Sequence, residues 1–159
     1  MGSRVDELAL DHCFWRAIST DQTFQRWFLA RSRFSDRQLE LVTDELWHQR
    51  WYRDPETRKD SETDILLIFR DLTSGDRYAF HVENKPDHGI WKRDQAAEYR
   101  KRAINRMSKW RYVDFQTALL APLSFIRRWP EEAKHFDIHL AYEDVRNFAP
   151  EFAILPHSN

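Results

Sequence analysis

An α/β domain with a mixed sheet flanked by helices is the fold class the sequence predicts, and three observations predict it. Segments with helical spacing and segments with strand patterning follow one another in the order helix, three strands, helix, strand. The run Ile65-Leu66-Leu67-Ile68-Phe69 is apolar throughout and bounded by polar residues, as in a central strand covered on both faces. The 159 residues, 42% hydrophobic and 14% aromatic, are enough to enclose one core. No internal repeat and no long linker divides them, so residues 1–159 are expected to form a single domain.

The elements follow in order. Leu10, Phe14, Ala17 and Ile18 lie at helical spacing, predicting a helix over about 7–18. Ser19, Thr20 and Asp21 supply N-cap chemistry for a second helix over about 22–31, with Phe24, Trp27 and Phe28 facing inward. Residues 38–51 fit a helix or a strand through Leu39, Leu41, Val42, Leu46 and Trp47; a strand is expected, because the next two strands require an antiparallel neighbour. Arg53 to Glu62 is polar, contains Pro55 and is expected to be a loop. A strand from Asp64 to Phe69, turn residues Thr73-Ser74-Gly75-Asp76 and the alternating Arg77–Lys85 then predict a hairpin. After a break at Asp87–Gly89, Ala96, Tyr99, Ala103, Met107 and Trp110 mark the stripe of a helix over about 92–109. Thr117–Ala121, stopped by Pro122, and Asp137–Tyr142, with Ile138, Leu140 and Tyr142 alternating, predict further strands.

Composition narrows the function. The formal charge of −1 conceals a segregation: between Trp91 and Arg111, eight Lys or Arg face only Asp94 and Glu98, an excess of six positive charges. Such a stripe suits a polyanion, although a solvated helix face explains the charge alone equally well. Cys13 is the single cysteine, which excludes an intrachain disulfide and a Cys-based zinc site. No apolar run approaches a membrane span, and the N-terminus shows no signal-peptide core, so a cytoplasmic protein without a membrane partner is expected. None of the seven His shows the spacing of a His-x-x-x-His metal site.

One constellation carries chemistry. Glu83 and Lys85 are two apart on a strand and project from one face, together with Ala79 and His81; Tyr78, Phe80 and Val82 point the other way, into the core. Asp64 lies on the partner strand, where antiparallel pairing brings it toward Glu83. Two carboxylates are hard-oxygen ligands for Mg²⁺ or Mn²⁺, with the backbone carbonyl of Asn84 as a further oxygen. Lys85 is placed to orient or deprotonate an attacking water or to neutralise developing charge. Gln95 and Tyr99, at i and i+4, share a helix face beside this site, to hold a phosphate backbone or to orient Lys85. Lys92, Arg93 and Arg100 are the candidate phosphate contacts of the basic helix. His81 and His88 fall nearby, with phosphate contact the lesser expectation beside ordinary packing.

Taken singly each signal is weak: Glu-x-Lys is a common surface pair, Asp64 suits a strand start, and Tyr99 lies in an apolar stripe. Their order is more specific. Asp64, Glu83-Asn84-Lys85 and Gln95-Ala96-Ala97-Glu98-Tyr99 together resemble the PD-(D/E)XK nuclease superfamily, in the branch with a trailing QxxxY motif; the likeness covers roughly residues 60–105. Thr63 stands where the name-giving Pro would be. The resemblance implies a restriction-endonuclease-like α-β-β-β-α-β core, Mg²⁺ or Mn²⁺ as cofactor, and cleavage of DNA, less often RNA. It also implies an acid from the first helix as an additional ligand. Asp11 and Glu7 are both candidates, and Glu40 or Glu45 replaces them if 38–51 is helical. Small members often dimerise, so a homodimer is within the expectation. Two readings compete: a noncatalytic nucleic-acid-binding or assembly subunit of the same fold, and a protein-interaction domain presenting its Trp residues.

Overall fold

The computed structural model describes residues 7–92 and 94–153. Helix α1 (Glu7–Thr20) buries Leu10, Phe14 and Ile18, and α2 (Gln22–Leu29) follows after a single residue. That residue is the N-cap: the Asp21 carboxylate accepts from the backbone N–H of Thr23 at 2.9 Å and of Phe24 at 3.2 Å. An N-cap of this type contributes about 1 kcal/mol.

Strands β1 (Leu39–Leu41), β2 (His48–Arg53), β3 (Asp60–Asp71) and β4 (Arg77–Asn84) come next. The strand expected over 38–51 is present but interrupted. β1 pairs with the C-terminal half of β3 and β2 with its N-terminal half, so two short strands share one edge of a long one. Between them the chain leaves the ladder, and Glu45 makes a two-pronged ion pair with Arg77, whose Nη2 lies 2.8 Å from Glu45 Oε2. The expected loop at 53–62 is shorter than the sequence suggested. β3 starts at Asp60, because Ser61 and Thr63 form ladder pairs with Tyr52 and Arg50 despite their polarity. Asp64 therefore sits inside β3 rather than opening it.

Helix α3 (Gln95–Arg106) ends three residues earlier than its apolar stripe implied. It connects β4 to β5 (Asp114–Ala121), and β5 runs parallel to β4, as the intervening helix permits. Short helices α4 (Leu123–Arg128) and α5 (Pro130–Ala133) lead to β6 (Ile138–Ala141), parallel to β5; α6 (Tyr142–Val145) and a 3₁₀ turn (Pro150–Phe152) close the described chain. These last helices were not predicted, since four to six residues carry too little periodicity.

The sheet runs β1-β3-β4-β5-β6, with β2 beside β3. Its antiparallel and parallel halves make a mixed sheet with helices on both faces. One face packs against α1 and α2, joining Phe14, Phe24 and Phe28 to Ile65, Leu67, Phe69, Phe80 and Val82. The other face lies under α3 and the loops beside it, with Leu66, Ile68, Ala79, Ala103 and Trp110 in one cluster and Tyr99, Leu119, Phe125 and Phe136 in the next. Both faces of β4 are thus buried, including the one that carries Glu83: Ala79 and His81 are fully enclosed. Among the described residues no helix is long and apolar enough to cross a membrane.

Candidate active site

The β3–β4 register pairs Ile65 with Val82, so one step along the ladder Asp64 falls opposite Glu83. Side-chain alternation puts Asp64, Glu83 and Lys85 on the α3 face, the face of Leu66 and Ala79. Asp64, Glu83, Lys85, Gln95 and Tyr99 all line one cleft of about 770 Å³. The sequence-predicted residues are therefore brought together.

Each is held by named partners. Lys85 Nζ lies 3.2 Å from Glu83 Oε1 and donates to the Ile90 carbonyl at 3.1 Å. That carbonyl is presented by a tight turn in which Gly89 N–H donates to Pro86 O at 2.7 Å. A Cβ on Gly89 would stand 2.8 Å from the Pro86 oxygen, so the turn requires glycine. Gln95 donates its amide N–H to Glu83 Oε1, and its own oxygen accepts from the Lys92 N–H at 3.4 Å. The Tyr99 hydroxyl accepts from the backbone N–H of Asp64 at 3.2 Å, with its ring buried against Phe136. Tyr99 is thus a buried ring whose hydroxyl faces the cleft.

Asn84 turns its side chain to the opposite face. Its backbone N–H donates to Asp64 Oδ2 at 3.0 Å. Its Nδ2 donates to Asp11 Oδ1 at 2.8 Å, and its Oδ1 accepts from the Tyr142 hydroxyl. The other oxygen of Asp11 lies 3.3 Å from His48 Nε2. Of the two first-helix acids, Glu7 lines the cleft and Asp11 lies behind it in this buried network. Glu40 instead lies beside Arg70, and Glu45 beside Arg77.

Electrostatics sets the site apart. Burial, and then the nearby carboxylates of Glu83 and Asp11, hold the Asp64 carboxyl well above its ordinary range; the Asn84 N–H opposes them. Burial followed by the Asp64 and Glu83 charges likewise raises the Tyr99 phenol.

The basic helix is less available than its composition suggests. Arg100 pairs with Asp137 at 2.7 Å, and Lys101 with Asp54 at 2.6 Å. Lys92 is exposed on the rim of the cleft; Arg93 lies outside the described residues, and Arg100 does not line the cleft. Arg102 does, although sequence reasoning left it out of the site. It is buried beneath Tyr99, its guanidinium 4.6 Å from the ring centroid, and it donates to Thr63 Oγ1 at 3.0 Å and Ser61 Oγ at 3.2 Å. The signal for it was present, since 95, 99 and 102 stand at i, i+4 and i+7 on one helix face. His81 is removed from the phosphate contacts: it is fully enclosed, bonded to Thr63 at 2.9 Å and Tyr112 at 3.1 Å.

Among the described residues, no group of three or more His, Cys, Asp or Glu side chains is arranged to hold a metal ion. No protein-family model matches the chain, and no curated protein or solved structure matches it at a significant level.

Proposed function

We propose that the protein is a divalent-metal-dependent nuclease of restriction-endonuclease-like fold, a relative of the PD-(D/E)XK superfamily, hydrolysing phosphodiester bonds in DNA. One observation carries this reading: Asp64 and Glu83 fall opposite each other in a cleft, with the Lys85 ammonium 3.2 Å from Glu83 and Gln95 and Tyr99 contacting the same pair of residues. Packing alone gives no reason to gather two acids, an amine, an amide and a phenol where the end of β4 meets β3 and α3.

The donor set suits Mg²⁺ or Mn²⁺. Both ions take hard oxygens and keep several waters, so two carboxylates and the Asn84 carbonyl suffice without a third acid. A cation there would offset the burial, and then the Glu83 and Asp11 charges, that raise the Asp64 carboxyl. A bound ion would supply a more acidic water and charge stabilisation at the phosphate. The protein's own groups do the rest. Gln95 fixes the Glu83 carboxylate through its amide, and the Asn84 N–H fixes that of Asp64. Lys85, tethered by Ile90 and Glu83, presents its ammonium toward the cleft to orient the attacking water or meet charge on the phosphate. Lys59 and Lys92, both exposed where they line the cleft, are cationic groups open to a bound backbone.

Cleavage of supercoiled and linear DNA with Mg²⁺, Mn²⁺ or EDTA tests the reading. Lys85→Ala and Glu83→Ala should each lower the single-turnover rate by about 10²–10⁴-fold, and EDTA should abolish it. Undiminished cleavage in either variant, or cleavage in EDTA, refutes the assignment. Salt-sensitive binding without turnover under any metal would favour the noncatalytic subunit instead.

A further inference from the structure

The strand that carries the Glu83-Asn84-Lys85 triplet breaks its own pattern at the middle residue. Tyr78, Phe80 and Val82 point into the apolar layer beneath α1, and the next position on that face is not an aliphatic residue but Asn84, fully buried. Its two polar ends are both engaged. Tyr142, at the start of α6, donates to Oδ1, and Asp11, from α1, accepts from Nδ2 at 2.8 Å. Asp11 and Tyr142 are themselves 3% and 4% exposed, so the trio is sealed from water. An apolar residue at each position would satisfy the core without desolvating three polar groups. Local departures from the pattern of a fold concentrate at functional positions.

The trio grips the residue whose main-chain groups face the site. The N–H of that residue orients the Asp64 carboxylate at 3.0 Å, and its carbonyl is the third oxygen of the proposed ion site. We infer that Asp11 and Tyr142 are positioning residues: by gripping the Asn84 side chain from both ends, they set the main-chain groups that align Asp64 and complete the oxygen set on the opposite face of β4. This rests on the metal-dependent reading of the site. It assigns Asp11 a part played through a hydrogen bond to Asn84 rather than through its charge on the ion. Outer groups that orient ligands typically govern ion affinity by about 10–100-fold.

The geometry separates the two parts Asp11 could play. An Asn at position 11 keeps an oxygen for Asn84 Nδ2 and offers an amide N–H to His48 Nε2, while removing the charge. The test is Mn²⁺ binding by the full chain without nucleic acid, followed by the electron paramagnetic resonance of free Mn²⁺, with single-turnover cleavage measured beside it. Asp11→Ala should weaken Mn²⁺ binding by about 10-fold or more, and Asp11→Asn should restore it to within about twofold of wild type. Tyr142→Phe, which deletes one hydroxyl from an otherwise retained ring, should weaken binding by about 10-fold, the lower end of that range, and serves if Asp11→Ala does not fold. Asp11→Asn binding as poorly as Asp11→Ala would overturn the proposal in favour of a charged ligand. Wild-type affinity in Asp11→Ala or in Tyr142→Phe would overturn it outright. Glu83→Gln is the control: if wild type binds no Mn²⁺, or Glu83→Gln binds it undiminished, the ion site itself fails and the positioning role falls with it.

Discussion

On the face of β4 that α1 and α2 cover, Tyr78, Phe80 and Val82 meet rings and aliphatic side chains; on the face that α3 covers, His81 meets two hydroxyls and Glu83 an amide and an ammonium. Both are closed to solvent over most of their length, yet they are stabilised differently. Phe80 lies 4.8 Å from Phe28, 5.6 Å from Phe69 and 5.8 Å from Phe34 between ring centroids, each in an edge-on arrangement. Beneath α3, by contrast, a chain of hydrogen bonds has only one consistent direction. Tyr112 donates to the Ala103 carbonyl, so its oxygen accepts from His81 Nε2, and His81 Nδ1 must then accept from Thr63. Thr63 Oγ1 in turn accepts from Arg102. This order requires a neutral imidazole. Burial, reinforced by Arg102 and Arg50, accordingly drives the His81 pKa down to about 3. The apolar face supplies cohesion; the polar face supplies orientation, and the cleft lies at its end.

The largest expected effect on stability is therefore on the first face. Phe80→Ala should cost about 3–5 kcal/mol in urea unfolding, the range for deleting a fully buried aromatic ring. The folded variant should keep whatever Mn²⁺ affinity the wild type shows in the test proposed above, because Phe80 packs against Phe28, Phe34 and Phe69 on the side of β4 opposite Glu83. A loss under about 1 kcal/mol would mean that the layer beneath α1 is loosely packed, and the contrast between the faces would fail.

A smaller cost is expected on the second face. Arg102→Met preserves much of the side-chain volume over Tyr99 but withdraws the donors to Ser61 and Thr63. Unfolding should become easier by about 1–3 kcal/mol, the penalty for buried acceptors that lose a partner. A cost equal to that of Phe80→Ala would show the polar network to be as cohesive as the aromatic layer.

The same division explains what could be read from the amino-acid order. The aromatic and aliphatic face announces itself by period: α1, α2, the β3–β4 hairpin and the parallel β5 and β6 all follow from spacing of Phe, Ile and Leu. The triplet at 83–85 with Asp64, Gln95 and Tyr99 was legible for a related reason, since strand alternation and helical i, i+4 geometry place those side chains without knowledge of the tertiary fold. The start of β3 was not, because Asp60–Thr63 owes its strand conformation to pairing with β2, and its side chains are polar. Nor was the link from Asp11 to Asn84, 73 residues apart, or from Tyr142 to Asn84, 58 apart. Such contacts exist only after α1 and the start of α6 have packed over β4, and no local pattern encodes them. Arg100 and Arg102 illustrate the intermediate case: composition puts both on a basic helix, and only the side of the helix each occupies decides that one meets Asp137 and the other the cleft.

The smallest expected effect concerns the turn that holds β2 and β3 together beside α3. Asp54 accepts from the N–H groups of Glu56 at 2.8 Å and Thr57 at 3.2 Å, and its second oxygen meets Lys101 Nζ at 2.6 Å. The hydrogen bond from Lys101, aided by those two N–H groups, lowers its pKa from 3.8 to about 2. A carboxyl more acidic in the folded chain than in the unfolded one contributes stability that is present above the unfolded value and is lost as pH falls toward the folded one. The contribution from Asp54 should therefore fade between about 3.8 and 2 and be constant above that window. Titration of the carboxyl carbon by NMR should find Asp54 still ionised midway through that window, and Lys101→Ala should move its midpoint upward toward 3.8. A wild-type midpoint already at 3.8 would show that the Lys101 ammonium does not grip this turn.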